Sequence, residues 1–531
     1  MRRTTAALSA MMLALTGLTL SATTSSATPA VADAAPSSAA TIAFGPCHDP
    51  ALQRAGAECG FVTVPLDHDH PAGKKLQLAV SRIKHTVPEA QFQGVMLVNP
   101  GGPGGSGLRL SVLQGFVPKS AGLAYDWIGF DPRGVGSSVP ALSCNPGFFG
   151  PDRPDYVPLT ASIEQRQLDR SARYAAACGK AGGELLNHMK TVAWAQDMES
   201  IRVALGQRQI NYYGFSYGTY LAQVYGTLFP ERLRRAVLDS NVDPRKVWYD
   251  ANLGQDVAFD RVAGIFFDWI ARHDSAYHLG ASRRTVENLY YSEQDRLRRF
   301  PAGGKVGPDE WNDIFVPAGY AQSLWPSVAT TFANWIVKGD PAPLIAAYQA
   351  ADDVGNDNTF AVYNAVECTD TPYPQSYAKV RTDAFDLYRT KPFLTWNNVW
   401  YNAPCLTWPA QAGKAVDVDG SKAGPVLLVG GTLDAATPFS GSLEVRKRFP
   451  KARLVAIEGD TTHADSLNGN ACVDNTIADY LLSGTLPARK PGTGADRSCQ
   501  TLPQPEPTIS GAASLTVNGG LTRHDLIPLR G

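Results

Sequence analysis

Neither sign of charge dominates this sequence: 48 Lys and Arg stand against 49 Asp and Glu in 531 residues. Without a global field, nothing draws the chain to nucleic acid or to an anionic membrane surface. No two cysteines are spaced C-x-x-C, and no His, Cys and Asp set is clustered as metal ligands are, so no metal or organic cofactor is implied. No internal repeat stands out, and no Walker lysine accompanies the glycine-rich stretch Asn99–Gly107. Long apolar runs are missing too. The run from Ala6 to Leu20 falls below the roughly 20 residues that cross a bilayer, and no second one follows.

What is present starts with that run. Arg2 and Arg3 precede it, and a Ser/Thr/Ala-rich stretch containing Ala30-Val31-Ala32 follows, the pattern of a secretory signal with a small-residue cleavage site. Residues 1–40 are therefore expected to be a signal peptide with a short pro-segment, and the mature chain to be extracellular without a membrane anchor. Eight cysteines, an even number, suit disulfides in that compartment. Their spacing suggests four sequence-local bridges, Cys47 with Cys59, Cys144 with Cys178, Cys368 with Cys405 and Cys472 with Cys499, although spacing alone leaves connectivity open.

Past the leader, "FVTVPLDHDHPAGKKLQLAVSRIKH" reads as two strands turning at His70-Pro71-Ala72-Gly73. Short, wholly apolar runs follow, each closed by turn-formers: "GVMLVNPGG", "YDWIGFDPRG", "INYYGFS", "RAVLDSNVDP", "GPVLLVGGTLD" and "RLVAIEGD". With helical segments such as "TVAWAQDMESIRVALG" between them, they predict an α/β fold with a mostly parallel sheet covered on both faces. Residues 41–247 and 424–500 are expected to form this core. Between them, residues 248–423 carry helical patterns but no convincing parallel strand, and read as a mostly helical cap insertion. Its tryptophans, among them Trp325, Trp335 and Trp396, are read as core rather than substrate wall. Residues 501–531 read as an irregular tail.

"GFSYG" places Ser216 between Gly214 and Gly218, after the strand-like "INYY" and at the start of a helical pattern. That is the strand–turn–helix setting that lifts a nucleophile above the carboxyl edge of a sheet. A serine hydroxyl needs a base, and the base an orienting acid. Of the nine histidines, His273, His278, His463 and His524 follow Ser216; the first two fall in the insertion and the last in the tail, which leaves His463 on the loop after "RLVAIEG". Asp434, just past "GPVLLVGG", is the expected acid, with Asp460 on the histidine's own loop as competitor. Thr437 reads first as a cap for the next helix, with a hydrogen bond to Asp434 as the alternative. The glycine-rich Asn99–Gly107 segment follows an early strand and exposes backbone amides; it would complete an oxyanion hole beside the amide of Tyr217.

"VPLDHDHP", "NPGGPGGSG", "FDPRGVGSS", "GFSYGTYLA", "LDSNVDP", "GGTLDAATP" and "CVDNTIADYLLSGTLP" resemble the exported tripeptidyl aminopeptidases of actinobacteria, in the prolyl-iminopeptidase-like branch of the α/β-hydrolases. The resemblance runs from about Cys47 to Cys499. It implies an α/β-hydrolase fold with a helical lid, a Ser216, Asp434 and His463 triad, and Gly102 as an oxyanion donor, with Pro100 where prolyl iminopeptidases carry a histidine. Thr462 stands where relatives usually have glycine. The implied activity is release of tripeptides from a free peptide N-terminus through an acyl-enzyme. Binding that terminus calls for a carboxylate facing the α-ammonium, and Glu367 and Asp370 in "NAVECTDTPYP" are the candidates. An esterase using the same machinery, and a catalytically silent binding protein, are the alternatives.

Overall fold

The computed structural model describes residues 42–151, 153–507, 523 and 526. The signal and pro-segment expected over residues 1–40, and the part of the tail holding His524, lie outside the described residues. The strands are β1 (Gly45–Pro46), β2 (Glu58–Pro65), β3 (Lys75–Ile83), β4 (Val95–Asn99), β5 (Asp126–Phe130), β6 (Ile210–Phe215), β7 (Leu233–Asp239), β8 (Val426–Gly431), β9 (Arg453–Glu458) and β10 (Arg497–Gln500). They form one sheet in the order β1-β2-β3-β5-β4-β6-β7-β8-β9-β10. From β5 onward along this order every pairing is parallel, while β1, β2 and β3 add an antiparallel edge.

The apolar runs are strands because both of their faces are covered. Leu97, Ile128, Tyr212, Leu238 and Leu428 point into one core. Their neighbours Val98, Trp127, Tyr213, Val237 and Leu427 point into the other. This is the two-residue alternation of a strand between two helical layers. Each such side chain, fully buried, stabilises the fold by about 1.5–3 kcal/mol before conformational entropy is counted. The helices Ala161–Gly182 and Thr191–Ala204 connect β5 to β6, Tyr217–Leu228 connects β6 to β7, and Ser440–Arg448 connects β8 to β9.

Between β7 and β8 the described residues form helices and no strand. Five of them, Tyr249–Arg272, Arg283–Arg299, Pro308–Tyr320, Trp325–Lys338 and Pro341–Ala351, contribute to a core of their own around Phe266, Trp269, Tyr290, Trp311, Phe315 and Phe332. Trp325, Trp335 and Trp396 are all buried. The helix Asn358–Asp370 behaves differently: Phe360, Ala361, Val362, Ala365 and Val366 pack into the sheet's own core. The insertion thus returns to the sheet before it ends.

At the end of residues 424–500, expected to belong to the core, the chain adds the edge strand β10, parallel to β9. Only Cys499 of its four residues is buried, so no apolar pattern announces it. The disulfides join Cys47 to Cys59, Cys144 to Cys178, Cys368 to Cys405 and Cys472 to Cys499. Among the described residues no helix is long and apolar enough to cross a membrane.

Candidate active site

Ser216 follows the last residue of β6 with φ 55° and ψ −127°, and the helix Tyr217–Leu228 starts at the next residue. A non-glycine residue with positive φ is strained and is held only by its surroundings. Here the flanking glycines permit the bend: a Cβ on Gly218 would stand 2.8 Å from the Asn99 carbonyl oxygen, and one on Gly214 would stand 2.8 Å from the carbonyl oxygen of Gly218. The Ser216 amide donates to the Asp239 carbonyl at 3.1 Å, tying the turn to the end of β7. The glycine-rich loop after β4 crosses this turn closely. A Cβ on Gly101 would lie 2.7 Å from that of Ser216 and 3.0 Å from the Tyr217 nitrogen. Tyr217 is the first residue of its helix, where a backbone N–H lacks an intrahelical acceptor.

The loops after β8 and β9 bring Asp434 and His463 together. Nδ1 of His463 lies 2.9 Å from Oδ2 and 3.1 Å from Oδ1 of Asp434. The carboxylate also accepts the amides of Ala436 at 2.9 Å and Thr437 at 3.0 Å. Thr437 does not cap the next helix, which begins at Ser440; its hydroxyl donates to Asp434 Oδ2 at 3.0 Å. The cap reading fails because the chain turns back towards Asp434 before the helix starts. Asp460 has no hydrogen bond to the imidazole: it accepts the Thr462 amide at 3.0 Å, and burial pushes its carboxyl up to about 7. The His463 amide donates to the Tyr320 carbonyl at 2.7 Å, so the helical insertion steadies the histidine's backbone. Nε2 of His463 is buried with no hydrogen-bond partner.

Ser216, Tyr217, Gly102 and His463 line one cavity, whose far side is built from the insertion, including Trp248, Asn252, Phe259, Tyr320, Tyr363 and Glu367. The structure separates the two candidate carboxylates. Glu367 faces the cavity beside Tyr363, accepts from Asn252 Nδ2 at 3.5 Å, and is pushed by burial up to about 8. Asp370 is not among the lining residues. It accepts the Thr191 amide at 2.6 Å, the Thr191 hydroxyl at 2.5 Å and Trp248 Nε1 at 3.3 Å. It thereby caps the helix Thr191–Ala204, whose own N-cap, Lys190, offers no side-chain acceptor. A second lining carboxylate, Asp243, is already paired with Arg245 at 2.6 Å; burial raises its carboxyl, but Arg245 outweighs burial and holds it below the ordinary value. Asn252 and Tyr363 carry no motif, and sequence reasoning did not find them.

Fold and site together define a serine hydrolase of the α/β-hydrolase class. Residues 391–499 match a family model described as TAP-like protein. The chain is 41% identical over 462 residues, 85% of each chain, to the tripeptidyl aminopeptidase of Streptomyces lividans. It is 30% identical over 470 residues to the serine protease Hip1 of Mycobacterium tuberculosis, covering 81% of this chain and 86% of that one. A carboxylesterase B of the same species is 30% identical over 456 residues, 81% of this chain and 85% of the relative. The chain belongs to the tripeptidyl aminopeptidase family of serine peptidases.

Proposed function

We propose that this chain is an exported exopeptidase that releases tripeptides from the free N-terminus of peptides and proteins. Ser216 Oγ attacks the scissile carbonyl while His463 Nε2 takes its proton, and Asp434 holds Nδ1–H and stabilises the imidazolium. The amides of Tyr217 and Gly102 receive the oxyanion. The imidazolium then protonates the departing amine, and water, activated by the same histidine, releases the tripeptide from the serine ester. The sequence pattern of residues 1–40 and the disulfides support export.

The observation that carries the exopeptidase reading is Glu367, a buried carboxylate in the same cavity as Ser216 and His463, met by the neutral amide of Asn252 and by no ion pair among the described residues. A buried carboxylate gains most from a cation it can pair with. A peptide's α-ammonium supplies one, and sets how far the substrate reaches before its carbonyl meets the serine. The similarity to a carboxylesterase keeps an ester substrate as the competing reading. The deciding experiment compares initial rates on a chromogenic tripeptide amide with a free N-terminus, its acetylated form and a simple acyl ester. Preference for the free amine, with intact tripeptide seen by mass spectrometry, supports the proposal. Equal or better turnover of the acetylated peptide and the ester replaces it with the esterase reading.

A further inference from the structure

The loop that carries His463 is underpinned by the far end of the chain. Arg523 is buried, its Nε donates to the Ser466 carbonyl at 3.0 Å, and Nη2 donates to the Ala464 carbonyl. Its guanidinium also lies over the ring of Phe215, 4.8 Å from the centroid. Phe215 immediately precedes Ser216, and Ala464 immediately follows His463. One side chain therefore touches the backbone after the base and the ring before the nucleophile. Three residues on, Leu526 is buried in the core that also holds Phe215, Ala464 and Leu467.

The same guanidinium offsets a concentration of negative charge. Asp239, Asp465 and Asp474 are all buried around this loop. Asp239 accepts the Ser466 amide at 2.8 Å, and Asp474 accepts the amides of Leu467 at 2.7 Å and Gly469 at 2.9 Å. Asp239 and Asp474 hold N–H groups of the loop; Arg523 holds two of its carbonyls and supplies a positive charge among the acids. Buried carbonyls need donors, and this irregular loop lies outside the sheet's regular ladder.

We propose that Arg523 is a positioning residue: the C-terminal segment inserts it behind the active site to fix the His463 loop against the Ser216 turn. This rests on His463 being the catalytic base.

The test uses the full-length protein with Arg523→Ala, Arg523→Lys and His463→Ala. For Arg523→Ala, kcat is expected to fall about 10- to 100-fold, as for a small misplacement of a catalytic group, while KM stays within about twofold. Added guanidinium ion, at concentrations harmless to wild type, should restore part of kcat. Arg523→Lys should fall between, because an ammonium cannot form the same fork. Unchanged kcat in Arg523→Ala overturns the proposal, as does a loss that follows the unfolded fraction with no rescue by guanidinium. An active His463→Ala would instead show that the base assignment is wrong.

Discussion

Two buried carboxylates, one on each side of the cavity, are met in opposite ways. At the carboxyl edge of the sheet, Asp434 is satisfied several times over: it has the imidazole, two backbone amides and the Thr437 hydroxyl. Across the cavity, Glu367 meets the neutral amide of Asn252 and no ion pair among the described residues, and burial pushes its carboxyl up to about 8. A fully satisfied group is held in place and does the same work on every substrate. An under-compensated one waits for a partner, and selects the substrate that brings it. In the proposed function the sheet side carries the chemistry and the insertion side the discrimination.

The comparison can be broken most severely on the sheet side. Ser216→Ala should lower kcat on any substrate by on the order of 10^6-fold, measured with enzyme free of wild-type contamination. Asp434→Asn should cost about 10^4-fold in kcat at neutral pH, since the amide favours the wrong imidazole tautomer. Both losses should be the same for esters and for free-amine peptides. A substrate-dependent loss would show that the two sides of the cavity are not separable.

On the insertion side the effects should be smaller and substrate-dependent. The proposed role requires Glu367 to be ionised, and with its carboxyl at about 8 it is largely protonated at neutral pH in the free enzyme. For free-amine substrates kcat/KM should rise as pH approaches 8, then fall as the α-amino group, with a pKa of about 7.7–8.0, loses its own proton. The rise should be absent with an acetylated substrate. The same shift sets a stability trend of opposite sign. The native state holds a proton that the unfolded state loses near the ordinary glutamate value, so stability falls between about pH 4.3 and 8. Melting curves should show Glu367→Gln gaining on wild type across that window.

The smallest effect on activity is expected at the sheet's edge. Exchange of Cys472 and Cys499 for serine opens the bridge that holds β10, of whose residues only Cys499 is buried. Stability should drop by about 2–4 kcal/mol in denaturant titration, with kcat/KM within about twofold of wild type.

The same contrast explains what could be read from the sequence. The parallel strands are legible because burial on both faces leaves unbroken apolar runs, and strand order then directs attention to the loops carrying Ser216, Asp434 and His463. The insertion has no comparable grammar. Glu367 and Asp370 lie three residues apart on one helix and present the same charge logic, yet one faces the cavity and the other caps the helix starting at Thr191. Only the three-dimensional placement of Thr191 separates them. Thr437 carries a pattern that suits either a cap or a carboxylate partner, and the path of the chain after Asp434 decides. Strand β10 and the contact of Arg523 depend on pairings across the fold that leave no periodic trace in a polar segment.

The most direct test of the division between the two sides is the ratio of kcat/KM for a free-amine tripeptide amide to that for its acetylated form, measured in wild type and in Glu367→Gln. Loss of one partner of a buried charge pair costs about 2–4 kcal/mol, so the variant's ratio should fall roughly 30- to 1000-fold towards unity, with turnover of the acetylated substrate little changed. A ratio as high in Glu367→Gln as in wild type would contradict the account and place recognition of the N-terminus elsewhere in the cavity.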